Sequence, residues 1–175
     1  MRMATSTIVP LEEYLHTTYE PECEWIDGVL KAKSMPDGYH GYFEKRLIAL
    51  LERDSSWGLR ALPEVRAHIA SGRFRVPDVM AIPANAPFLP LPKLKPLICI
   101  EVLSPDDRQA DLEENIDDYV AAGIGAIWIV DPRQRTIAMA DANGIHPVDE
   151  LTLQGTSVRL AATEIFAELD QLEAL

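Results

Sequence analysis

Leu97 to Leu103 reads LICIEVL, seven residues that are apolar without alternation except at Glu101. Such a run suits a central strand buried on both faces, because a half-exposed strand would alternate. Ser104-Pro105-Asp106 closes it. From about Asp107 to Ala122, Leu112, Ile116, Tyr119 and Val120 fall on one helical stripe and Glu113, Glu114, Asp117 and Asp118 on the other, and Gly123 is where such a helix stops. Residues 126–132, AIWIVDP, read as a second buried strand. A helix crossing between two such strands predicts that they lie side by side and parallel.

Upstream, Pro10 and the acidic pair Glu12-Glu13 introduce a short helix through Tyr14 and Leu15. Asp27-Gly28, between Cys23–Ile26 and Val29–Lys33, signals a tight hairpin, and Met35-Pro36-Asp37-Gly38 a turn. The segment HGYFEKRLIALLERD then places Phe43, Leu47, Leu50 and Leu51 on one helical face, with Glu44, Lys45, Glu52 and Arg53 on the other. This predicts a helix of about fourteen residues, ending before Ser55-Ser56-Trp57-Gly58. Two strand-like runs follow, Arg60 to Ala70 and Phe74 to Ile82, joined at Ser71-Gly72. The five prolines from Pro83 to Pro96 exclude regular structure and predict a surface loop. After the second buried strand, RQRTIAMAD reads as a third, turning at Asn143-Gly144, and a short helix is expected around Thr163 to Leu169. The expected fold is α/β, a mixed central sheet flanked by helices, in a single domain spanning 1–175.

The composition fits one globular domain: 175 residues, 47% hydrophobic and 25% charged. A formal charge of −12 excludes a coat protein that binds nucleic acid through a basic stripe, and disfavours DNA as a partner generally. It leaves open an acidic site whose bound cation meets a phosphate. Seven acids, Asp106, Asp107, Asp111, Glu113, Glu114, Asp117 and Asp118, crowd one helix and its lead-in, with Arg108 the only cation among them, a face expected to repel a polyanion. No run is long and apolar enough for a membrane span and the N-terminus lacks signal-peptide character, so a cytoplasmic protein without membrane partners is expected. Cys23 and Cys99 are then thiols, with Cys99 buried inside the apolar run. Trp25, Trp57 and Trp128 read as core aromatics.

The chemistry concentrates where the pattern is broken. An ionised Glu101 in an otherwise apolar strand needs a cation or a proton. Asp78 interrupts FRVPDVMAI in the same way. If the two strands are neighbours, the carboxylates converge, and paired carboxylates with waters and a main-chain carbonyl suit Mg²⁺. The competing reading is structural, with Asp78 capping a turn beside Pro77 and Glu101 at a frayed strand end paired with Arg75.

VPD at 76–78, IEVLSPDDR at 100–108, the helix and IWIVDP at 127–132 together resemble the Uma2 (DUF820) family, restriction-endonuclease-like proteins of the PD-(D/E)XK nuclease superfamily. EWIDGVL at 24–30 and the His40-Gly41 pair match it too, so the likeness runs from about Leu11 to Phe166, the expected core. The resemblance implies an endonuclease cleaving DNA, with Mg²⁺, or Mn²⁺ in its place, held by Asp78, Glu101 and the Val102 carbonyl. It also implies that Glu24 and His40 line the site. For both, a purely structural role stands beside the functional one: Glu24 as a solvent-side strand residue, His40 as a helix cap or surface histidine.

The chain departs from the motif at its lysine. Two residues after Glu101 stands Leu103, and at the helix position that carries the lysine in Uma2-like proteins stands Asn115. Arg108, two turns earlier on nearly the same side, could clamp a phosphate but cannot act as a base. Of the five lysines, only Lys31 or Lys33, on the hairpin bearing Glu24, could fold back to the site. A nuclease therefore competes with a catalytically inactive nuclease-fold module that binds or regulates, expected to be a homodimer. A small-molecule hydrolase using Glu101 and His40 ranks last, lacking any supporting motif.

Overall fold

The computed structural model describes residues 8–34, 36–87, 95–105 and 107–174. The chain opens with α1 (Leu11–His16) and the hairpin β1 (Cys23–Ile26) and β2 (Val29–Ala32), turned by Asp27 and Gly28, whose φ values of 49° and 90° are those of a type I′ turn. Helix α2 (Gly38–Glu52) starts where Asp37 accepts the His40 N–H at 2.9 Å, an aspartate N-cap. Then come β3 (Leu59–Pro63), β4 (Ala67–Ala70), β5 (Arg73–Arg75), β6 (Val79–Pro83) and β7 (Ile98–Val102). The second half carries α3 (Gln109–Ala122), β8 (Ala126–Asp131), β9 (Thr136–Asp141), β10 (Gly144–Val148), β11 (Glu150–Thr152), β12 (Arg159–Ala161), α4 (Ala162–Ile165) and α5 (Leu169–Glu173).

Six strands form the main sheet in the order β10-β9-β8-β7-β6-β3. As expected, β7 and β8 are parallel neighbours with α3 as their crossover, and the other pairs are antiparallel. Both faces of β7 are buried. Ile98, Ile100 and Val102 pack with Phe43, Leu47 and Leu51 of α2, while Cys99 packs with Leu112, Ile116 and Tyr119 of α3. Trp128 is fully buried in the first of these cores, and both cysteines are free and buried. No helix among the described residues is long and apolar enough to cross a membrane.

The two strand runs expected at 60–70 and 74–82 each break in the middle. Glu64 adopts φ 47°, outside the extended region, and Pro77 has no N–H for a ladder. The breaks lie opposite each other, the Glu64 N–H donating to the Asp78 carbonyl at 3.0 Å. The outer halves, β3 and β6, join the main sheet, whereas β4 and β5 fold into a second sheet ordered β2-β1-β5-β4. Asp78 thus stands at the corner between the sheets.

Smaller differences follow from local chemistry. The helix expected at Thr163 to Leu169 is divided into α4 and α5. The strands β10, β11 and β12 were too short or too polar to stand out, β10 being almost wholly exposed. The proline-rich loop lies largely outside the described residues: Pro83 ends β6, while Pro90 and Pro92 fall in the undescribed 88–94. Met35 of the expected turn and Asp106 of the acidic group also lie outside the described residues.

Candidate active site

The register decides how the two acids meet. Strands β6 and β7 pair Val79 with Ile100 and Met80 with Cys99, so the next antiparallel pair is Asp78 with Glu101. Both lie on the face of Met80 and Cys99, toward α3, because side chains alternate along a strand. Asp78 is 3% and Glu101 7% exposed, a depth at which two carboxylates cannot both stay charged without partners. Asp78 Oδ2 accepts the Val102 N–H at 2.7 Å, and Glu101 Oε1 accepts the Tyr119 hydroxyl at 2.7 Å. Burial, then the charge of Asp78, pushes the Glu101 carboxyl up to about 8. Glu101 is therefore neither at a frayed end nor paired with Arg75.

A lysine reaches Asp78 from the second sheet. Lys33, one residue beyond β2, places Nζ 2.5 Å from Asp78 Oδ1 and 2.8 Å from the Val76 carbonyl. Burial opposes the ammonium charge, but Asp78 and Glu101 overcome it, so Lys33 is held above its ordinary range. His40 Nε2 stands 3.4 Å from Asp78 Oδ1 and 3.4 Å from Glu44 Oε1, with Nδ1 3.1 Å from Ser104 Oγ. Burial again disfavours the cation, and Asp78 with Glu44 outweighs it, pushing His40 up to about 10. Lys33 and His40 together hold the Asp78 carboxyl below its ordinary value despite burial, which alone would raise it.

Sequence reasoning put Glu44 on the solvent face of α2. It is instead half-buried one turn after His40, its Oε1 enclosed without a hydrogen bond among the described residues, and with His40 and Asp78 it forms a cluster able to hold a metal. The spacing of four between a histidine and a glutamate was the available signal.

Glu24 is buried, not solvent-side. Its oxygens accept Arg75 Nη1 at 2.7 Å and the Val76 N–H at 3.0 Å, and Arg75, wholly buried, also lies 2.6 Å from Asp118 and 3.0 Å from Glu114. Lys31 pairs with Asp111 and Glu114 of α3 at 3.0 and 2.8 Å. The acidic face of α3 is thus divided: Asp111, Glu114 and Asp118 meet cations of the second sheet, while Glu113 and Asp117 face solvent.

Glu24, Lys33, His40, Asp78, Glu101 and Val102 line one cleft of about 90 Å³, room for several waters. Leu103, Arg108 and Asn115 line it too, with Arg108 exposed at the N-terminus of α3. Asn115 Oδ1 is buried without a hydrogen-bond partner among the described residues. Asp78, Glu101 and Asn115 line the same cleft with oxygens of the hard kind that a divalent cation and its waters take, so the residues present fit such an ion.

A family model described as "Putative restriction endonuclease", Uma2, matches residues 11–170. The chain belongs to the Uma2 family. No curated protein matches it. Among solved structures, a "putative nuclease belonging to DUF820" from Anabaena variabilis ATCC 29413 is 22% identical, with 92% of this chain and 99% of that one covered at a TM-score of 0.76. This places the Uma2 chain in the same fold, the mixed sheet with flanking helices expected from the sequence. A DrdV–DNA complex is 16% identical over 77% of this chain and 13% of that one, at a TM-score of 0.33 that carries no argument.

Proposed function

We propose that this Uma2 chain is a metal-dependent endonuclease hydrolysing DNA phosphodiester bonds, with Mg²⁺, or Mn²⁺ in its place, at Asp78, Glu101 and the Val102 carbonyl. The observation that carries the reading is the cross-strand pairing of Asp78 with Glu101 at the floor of a cleft that also receives a lysine. The ion, when bound, supplies Lewis acidity at the phosphoryl oxygen and a more acidic attacking water. The protein supplies placement. Val102 N–H and His40 orient Asp78, Tyr119 orients Glu101, and Glu44 fixes the His40 ring. Glu24, through Arg75 and the Val76 N–H, holds the strand that delivers Asp78. Arg108, at the rim, clamps a phosphate oxygen as a permanent cation rather than a base. DNA is the substrate class despite the charge of −12, because three of the α3 acids are engaged with Lys31, Arg73 and Arg75. The active form in this reading is a cytoplasmic homodimer of single domains, for which light scattering should give twice the chain mass of 19.5 kDa.

Calorimetry with Mg²⁺ and a plasmid-nicking assay test the site. Asp78→Ala loses both binding and cutting; undiminished Mg²⁺ uptake by that variant removes the proposed ligand set.

One observation favours the second reading, a nuclease-fold module that binds without cutting: Lys33 and His40 pair with Asp78 and Glu44, so the protein's own cations compete with a metal ion for these carboxylates. That reading predicts a stable protein with no cleavage in Mg²⁺ or Mn²⁺, and turnover abolished by Glu101→Gln overturns it.

A further inference from the structure

We infer that Lys33, carried in on the β1–β2 hairpin, supplies the positive charge on the scissile phosphodiester that positions 103 and 115 lack; this rests on the nuclease reading above.

The backbone explains how a residue 45 positions before Asp78 arrives there. The Lys33 N–H donates to the Glu22 carbonyl at 2.9 Å, extending the hairpin register one residue beyond β2. Lys31 and Lys33, two apart, therefore project to the same side. Lys31 meets Asp111 and Glu114 on α3, which docks that side of the hairpin against the helix bearing Asn115. Lys33 then enters the cleft that Asn115 also lines, bringing its charge into the space where a lysine at 115 would lie.

Its side chain is only 16% exposed, and two acceptors, Asp78 Oδ1 and the Val76 carbonyl, fix the ammonium. An ammonium has three protons, so one remains to donate to a phosphoryl oxygen or an attacking water. A fixed charge in a partly dehydrated cleft stabilises the charge that develops on the phosphate more than the same charge in water does. Asn115 offers no charge, and Arg108 stands exposed at the rim.

The test uses the full chain on supercoiled plasmid DNA in Mg²⁺, comparing wild type, Lys33→Met, Lys33→Gln and the double variant Lys33→Met, Asn115→Lys. Circular dichroism checks the fold and calorimetry follows Mg²⁺ binding. Loss of one such charge lowers the cutting rate by about 10²–10³-fold. Both single variants should show this loss, Lys33→Gln despite its retained hydrogen-bonding amide, while Mg²⁺ binding persists. The relocated lysine should restore most of the rate, and Lys33→Gln carries the test in the case in which Lys33→Met folds poorly. Wild-type cutting that survives unchanged in Lys33→Gln overturns the inference and leaves the nuclease reading standing. A wild-type protein that cuts in neither Mg²⁺ nor Mn²⁺ overturns both.

Discussion

Replacing Arg75 with Met tests whether the second sheet is held by a buried ion-pair network. Arg75 is wholly buried and its partners are unequal: the Glu24 side chain is 5% exposed, Asp118 16% and Glu114 43%. Glu114 is wet enough to contribute little, since exposed pairs are worth about 0–1 kcal/mol. The loss falls on Glu24, left buried with only the Val76 N–H at 3.0 Å, and in part on Asp118. Breaking one side of a buried pair costs about 3–5 kcal/mol, and the partly hydrated Asp118 points to the lower end, about 3 kcal/mol. Urea denaturation followed by circular dichroism reads this directly. With a slope of about 2 kcal/mol per molar, the midpoint falls by about 1.5 M at constant slope. Adding Glu24→Gln, which keeps an acceptor for Val76 but removes the stranded charge, should recover about half, a coupling within the range of about 0.5–3 kcal/mol seen for contacting residues. A midpoint shift below about 0.5 M in the single variant, less than about 1 kcal/mol at that slope, refutes the reasoning.

Three further outcomes follow from local geometry. Asp37→Ala removes the α2 N-cap and should cost about 1 kcal/mol at neutral pH, seen as a melting temperature lower by about 2–4 °C. The His40 N–H holds the Asp37 carboxyl below its ordinary 3.8, so its contribution is full above that pH and lost as pH falls through the lower folded value; a penalty that grows in acid contradicts this. Gly72→Ala forces a side chain onto φ +76°, with its Cβ 2.3 Å from Asp27 Oδ1, and should destabilise by about 1–2 kcal/mol in thermal melts. Cys99 is fully buried, and burial pushes its thiol well above the ordinary range; in a Cys23→Ser chain a thiol reagent should react only as the protein unfolds, and prompt labelling of the native state shows the packing to be wrong.

The centre of the fold was legible because LICIEVL, Glu101 apart, and AIWIV are apolar on both faces and the α3 stripe is regular. Asp78 and Glu101 were legible for the opposite reason, as charges in runs that otherwise exclude them. The fold-back between sheets was not. Glu64 takes φ 47° with no glycine or asparagine to announce it, so the two hairpin arms read as continuous strands. Pro77 was visible, but only the second sheet gives the break its meaning. Glu24 looked like a surface residue because its partner Arg75 lies 51 positions away on a neighbouring strand. Lys33 was one of two lysines left by elimination, and only the pairing of the hairpin with Glu22 and the docking of Lys31 on α3 select it.

The Lys33–Asp78 contact bears on how motif loss is read across related chains. A motif is a one-dimensional ledger of residue types, whereas a cleft integrates charge from whatever backbone passes near it. In this chain two columns of the ledger are blank while an ammonium nitrogen stands 2.5 Å from the first acid, contributed by a different sheet. Counting degenerate sites by absent letters therefore overestimates how many have lost their cation. A search of three-dimensional space around the paired acids, indifferent to sequence position, sorts relocated charges from missing ones.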